Sequence, residues 1–145
     1  MAASRPDHWL AGLTPNPPRG ELGALQLAWL GDAVWELHQR QLRCRHPARA
    51  QDLHREVVAA VRAAAQARAL RCLEGLLSRA EQELVRRGRN RAGRGPRAAD
   101  PSTYALATGF EALLGWLFLH DPPRLVELLD HLQAVDPDTF PDPPP

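Results

Sequence analysis

Apolar positions in this chain recur every third or fourth residue rather than every second one. From residue 22 to 38, Leu22, Leu27, Leu30, Ala33, Val34 and Leu37 share one broad arc of a helical wheel, and Leu25, Ala28, Trp29 and Trp35 cover most of the remainder. A helix that is apolar on nearly every side is expected to be buried, and this one should run from about residue 21 to 44. Residues 50–77, rich in Ala, Leu, Gln and Arg, predict two shorter helices. Ser78 and Glu81 have the spacing of a capping box, in which each side chain accepts from a backbone N–H that the first turn leaves unpaired. That helix is expected to stop near Gly88, and a loop over residues 89–99 follows. Asp100 and Pro101 suit the N-cap and first position of a helix to about residue 120, with Leu106, Phe110, Leu113, Leu114 and Leu117 as its packing face. Asp121, before Pro122 and Pro123, opens a last helix to about residue 134.

No segment alternates Val, Ile or Thr with polar residues; isoleucine is absent, and Ala, Leu and Arg dominate. The fold class expected is therefore all-α. A length of 145 residues with 44% hydrophobic content suits one domain with a real core. Pro6, Pro15, Pro17 and Pro18 crowd the first twenty residues, and the chain ends in DPDTFPDPPP. These stretches read as extended or disordered arms, which gives a proline-containing N-terminal arm over 1–20, a domain over 21–133 and a proline-rich tail over 134–145.

The formal net charge of +1 hides an uneven distribution. All 18 basic residues are arginine, so arginine richness by itself says little about partners. Locally, however, Arg86, Arg87, Arg89, Arg91, Arg94 and Arg97 stand together with Asn90 and without an acid, interrupted by Gly88, Gly93 and Gly95. A glycine-containing cationic loop suits the phosphate backbone or minor groove of an A-form duplex and is expected to order on binding. A solvated linker is the other reading of the same run. Cys44 and Cys72 form neither a CxxC pair nor a disulfide framework, which fits a reducing cytosol and two buried structural thiols. No apolar run approaches the roughly 20 residues that span a bilayer, and MAASRPDHW has no secretory h-region. A soluble cytoplasmic protein with no membrane partner is expected. The histidines at 8, 38, 46, 54, 120 and 131 make no HExxH or paired Cys/His spacing, so a zinc site is not expected. Trp9, Trp29, Trp35 and Trp116 read as core or subunit packing.

Two acids stand out against the apolar pattern. Asp32 lies in the middle of the first helix, among Ala28, Trp29, Trp35 and Glu36 at helical spacing, where a buried charge is costly without a cationic partner. Glu111 lies among Thr108, Ala112 and Gly115. Small neighbours leave room for a backbone, an ion or a phosphate. Two such helices packed together could present both acids to one Mg²⁺, which accepts carboxylate and phosphate oxygens while keeping several waters. Phosphodiester hydrolysis is the chemistry this suits. Ion pairs with arginines would account for the same acids, and spacing does not decide between the two. Glu36, one turn after Asp32, reads as a solvated or helix-pairing residue rather than a ligand.

The string LAWLGDAVWE, Leu27 to Glu36, resembles the ribonuclease III signature built around Leu-Gly-Asp-Ala, and TGFEALLGWLFL, Thr108 to Leu119, resembles the second motif of that fold. The segment RRGRNRAGRGPRAADPSTYALATGFEALLG is similar to the Mini-III branch of the family, in which an Arg-Gly-Arg-Asn stretch precedes the second acidic helix and no double-stranded RNA-binding domain follows. The resemblance covers about residues 21–133. It implies the ribonuclease III helical fold, with Asp32 as the catalytic aspartate of the first motif and Glu111 as the metal-binding glutamate of the second. It further implies a homodimer whose interface forms a valley for double-stranded RNA, and Mg²⁺-dependent cleavage leaving 5′-phosphate and 3′-hydroxyl ends. Arg86, Arg87, Arg89, Asn90, Arg91, Arg94 and Arg97 are the expected RNA contacts. The substrate it implies is the precursor of 23S ribosomal RNA, with a ribosomal protein as a candidate accessory partner. Larger members carry a further glutamate and aspartate where this chain has Ala28 and Thr108. Those gaps fit the Mini-III branch and also leave open a catalytically silent RNA-binding module; a helical protein-interaction adaptor is a further reading.

Overall fold

A computed structural model of the chain describes residues 7–135, the side chain at 60 excepted. Among these residues the expected all-α fold is observed, with helices and no strand: α1 (Ala24–Arg43), α2 (Ala50–Val61), α3 (Ala63–Leu73), α4 (Arg79–Arg91), α5 (Pro101–His120) and α6 (Pro122–Val135). The apolar α5 is the hub, with α1, α3, α4 and α6 packed around it. Phe110, Leu113, Leu114 and Leu117 are at most 1% exposed, and Leu73, Leu125, Leu129 and Leu132 close over them from α3 and α6. Trp35 meets Phe110 edge-on, with ring centroids 5.0 Å apart at 83°, the arrangement that the aromatic quadrupoles favour.

Local signals set the helix starts. The Ser78 amide donates to Glu81 Oε1 at 2.8 Å and the Glu81 amide donates to Ser78 Oγ at 3.1 Å, so both halves of the capping box form. Asp100 caps α5 by accepting from the Thr103 amide at 2.9 Å. Glu81 does more than cap: Arg124 of α6 donates to it through Nε and Nη2, both at 2.9 Å, and also reaches the Leu76 carbonyl at 2.8 Å. Those bonds from Arg124 hold the Glu81 carboxyl below the usual carboxylate range although burial alone would raise it.

Several boundaries differ from the expected ones, each for a packing reason. α4 does not stop at Gly88 but continues to Arg91. Gly88 is a contact glycine rather than a cap, since a Cβ there would lie 2.8 Å from the Gly109 Cα of α5. Arg89, Asn90 and Arg91 therefore belong to a helix, not to the loop. The arm expected over 1–20 contributes to the core, because Leu10 is 1% exposed and the Trp9 indole donates to His38 Nδ1 at 2.9 Å. The tail lies largely outside the described residues, which end with α6. Cys44, expected to be buried, is exposed, and Cys72 is half-buried. Among the described residues no helix is long and apolar enough to cross a membrane.

The largest correction concerns α1, which is not buried all round. Ala24, Leu27, Ala28, Gly31, Val34, Trp35 and His38 face the core. Leu25, Trp29 and Leu37 face outward, with Trp29 78% exposed, so this tryptophan is not part of the core. α5, α2 and α4 cover only part of the circumference of α1; the wheel could not show that its second apolar side is left outside that cover.

Candidate active site

α1 and α5 run antiparallel and touch backbone to backbone. A Cβ on Gly31 would lie 1.7 Å from the Glu111 carbonyl oxygen, and one on Gly115 would lie 2.0 Å from that of Leu27. Only glycine allows this approach. Its consequence is that Asp32, beside Gly31, meets Glu111 across the crossing.

The meeting is visible in the proton affinity of Glu111, which is pushed up to about 8, first by burial and then by the charge of Asp32 and a hydrogen bond with it. The two acids differ in setting. Glu111 is half-buried, while Asp32 is exposed at the edge between the covered and open faces of α1, not buried as the sequence pattern suggested. Neither acid forms a salt bridge with an arginine among the described residues, so structural ion pairing does not account for them there. Glu36 instead pairs with Arg40 at 2.7 Å, as its spacing led us to expect.

Near the two acids, Ala28 is buried and the buried Thr108 hydroxyl donates to the Tyr104 carbonyl at 2.9 Å. Among the described residues no group of three or more His, Cys, Asp or Glu could enclose a metal. Two adjoining carboxylates, one holding its proton more firmly because it is buried and beside the other, nevertheless fit a hard cation that keeps waters and takes substrate oxygens. Such an ion would replace the proton they share.

The arginine-rich stretch divides in two. Arg86 pairs with Glu83 through Nε at 2.8 Å, and Arg87 lies 3.7 Å from Glu21, so both have carboxylate partners. Arg89, Arg91, Arg94 and Arg97 are exposed and form no salt bridge among the described residues, and Asn90 is exposed beside them. The loop between α4 and α5 also has a defined turn, in which Gly93 and Gly95 take φ of 67° and 76° and the Ala99 amide donates to the Pro96 carbonyl at 3.1 Å. Sequence reasoning missed Tyr104, whose ring this turn touches; a glycine and an aromatic nine positions apart carry no periodic signal.

Comparison with known proteins gives this geometry a context. Residues 25–122 match the family model of the ribonuclease III domain. The chain is similar to proteins called Mini-ribonuclease 3: 55% identical over 103 residues to that of Gloeobacter violaceus, covering 71% of this chain and 76% of the relative. To that of a Synechocystis strain it is 46% identical over 134 residues, covering 90% and 94%. A crystal structure of a Fusobacterium nucleatum protein superposes with a TM-score of 0.73 at 25% identity, over 84% of this chain and 94% of that one. Both acids and the glycines at their crossing fall inside the matched span.

Proposed function

The chain belongs to the ribonuclease III family, within its Mini-ribonuclease 3 group, and from that premise we propose that it is a Mg²⁺-dependent endoribonuclease acting on double-stranded RNA. The observation that carries the proposal is the contact of Asp32 and Glu111 at the α1–α5 crossing. Both carboxylates would hold the ion, together with waters and a phosphate oxygen. Mg²⁺, when bound, supplies a water of lowered pKa and a positive charge opposite the scissile phosphate, consistent with 5′-phosphate and 3′-hydroxyl products. Glu111 is shielded enough to hold its ligand geometry, and the exposed Asp32 faces the side from which a substrate arrives. Arg89, Asn90, Arg91, Arg94 and Arg97 present an open cationic surface to the duplex backbone, where shape and 2′-hydroxyls are read more than sequence. Arg86 and Arg87, already partnered, contribute less.

The working unit in this reading is a homodimer. Leu25, Trp29, Ala33 and Leu37 form an outward stripe at four-residue spacing on α1, and such a stripe is self-complementary when two copies pair α1 antiparallel about a two-fold axis. Beyond Leu37, a cavity of about 410 Å³ is lined by Arg40, Cys44, Leu53 and Val57. Each copy brings one pair of carboxylates, one for each strand. The precursor of 23S ribosomal RNA in the cytoplasm is the substrate proposed, with a ribosomal protein as an accessory partner that presents the site.

Cleavage of a long RNA duplex with and without Mg²⁺, by the native protein and Asp32→Asn, tests the proposal. Magnesium-dependent cleavage that Asp32→Asn loses is the expected result. A folded native protein that binds the duplex without cutting it would be a silent RNA-binding module. Indifference to duplex RNA at low salt would select the protein-interaction adaptor.

A further inference from the structure

The loop between α4 and α5 rests on an aromatic ring. A Cβ on Gly95 would stand 2.4 Å from Tyr104 Cδ1, 2.5 Å from Cγ and 2.9 Å from Cε1, so the Gly95 backbone lies flush against the ring. Gly93, two residues earlier, has nothing within 4 Å of its Cβ position. The turn is thus clamped at one point, between Arg94 on one side and Arg97 on the other. Tyr104 is itself fixed in α5, where its carbonyl accepts from the Thr108 hydroxyl at 2.9 Å. Tyr104, Thr108, Glu111 and Gly115 follow one another at spacings of four, three and four residues, so they share one face of the helix. By the helical rise, Tyr104 sits about 10 Å along that face from Glu111.

The geometry points to Tyr104 as a positioning residue: its ring holds the Gly95 turn so that Arg94 and Arg97 stand ready on the Glu111 face of α5 to grip phosphates flanking the scissile one. This inference rests on the endonuclease reading and adds a part to it. A cationic loop that has to be ordered by its ligand binds more weakly than one ordered beforehand, because fixing even one residue's backbone corresponds to roughly tenfold in affinity. The sequence suggests the opposite, a glycine-containing loop that orders only on the duplex. The contact with Tyr104 shows what would order it in advance.

Gly93 and Gly95 provide an internal control. Both have positive φ, 67° and 76°, so alanine strains the backbone at either. Only at 95 does it also meet the ring. Hydrogen exchange at the Ala99 amide, which closes the turn onto Pro96, reads the clamp in the RNA-free protein. Slow exchange is expected in the native protein and Gly93→Ala, with much faster exchange in Gly95→Ala. In duplex binding and cleavage, Gly95→Ala and Tyr104→Ala are expected to raise Kd and KM about tenfold with kcat nearly unchanged. Tyr104→Phe, which keeps the ring, should behave as native.

If Gly95→Ala and Tyr104→Ala bind and cut duplex as the native protein does, or if Gly93→Ala weakens binding as much as Gly95→Ala, the positioning role is wrong while the nuclease reading stands. A native protein indifferent to duplex RNA at low salt removes the nuclease reading and this one with it.

Discussion

Gly31 and Glu111 are in backbone contact: a methyl group added to the first would lie 1.7 Å from the carbonyl oxygen of the second. The residue beside one carboxylate thus packs directly on the residue that bears the other, and the spacing of the pair is set by the absence of a side chain.

Gly31→Ala should therefore force α1 away from α5. Overpacking a core typically costs about 1–3 kcal/mol, and a clash with backbone belongs at the upper end. Urea unfolding should show that loss, and cleavage should fall by on the order of a hundredfold in what remains folded, since a displacement of about 1 Å is enough for that. Gly20→Ala, with nothing within 4 Å of its Cβ position, is the control and should change stability by less than about 0.5 kcal/mol. Native-like cleavage by Gly31→Ala would show that the crossing does not set the site.

The Glu111 carboxyl is raised from an ordinary 4.5 to about 8, so the folded state binds more protons than the unfolded state between those values. Stability must then fall as pH rises through that window in the absence of metal. Thermal unfolding between pH 6.5 and 8 reads it, and Glu111→Gln should flatten the slope. Added Mg²⁺, which binds the deprotonated acids, should raise the melting temperature more at pH 8 than at pH 6.5.

His38 works in the other direction. Burial, aided by the charges of His8, Arg45 and Arg43, lowers its pKa from 6.5 to about 3. The unfolded chain protonates first as pH drops, so stability is lost as pH falls from 6.5 toward 3. Below pH 4.5 the Glu111 contribution has levelled off; Glu81, held low by Arg124, also loses stability there, so the difference between native and His38→Gln curves reads the histidine. His38→Gln, which keeps an acceptor for the Trp9 indole, should reduce the acid-side loss; an unchanged acid limb would assign it to other groups.

Trp29 is 78% exposed, so replacing it should not unfold the chain. Trp29→Glu is expected to weaken self-association by about 2 kcal/mol, roughly thirtyfold in the dimer dissociation constant, with an unchanged circular dichroism spectrum. Sedimentation of native and variant protein over a range of concentrations decides this. A native protein that stays monomeric at high micromolar concentration would leave the α1 stripe unexplained.

What the amino-acid order determined by itself was whatever depends on neighbours within a turn or two. The helical class follows from composition and period. The starts of α4 and α5 follow from Ser78 with Glu81 and from Asp100 with Pro101, because a cap is a contact across three residues. Asp32 and Glu111 were legible as acids in apolar helices. Tertiary structure alone decided which face of each helix found a partner. It left Trp29 outside and Asp32 at an edge, made Gly88 a contact point instead of a stop, and gave Arg86 and Arg87 carboxylate partners while leaving the following arginines open. It joined Glu81 to Arg124 and Gly95 to Tyr104. A helical pattern lists the apolar sides of an element, but burial is a property of two surfaces, and the second surface comes from elsewhere in the chain.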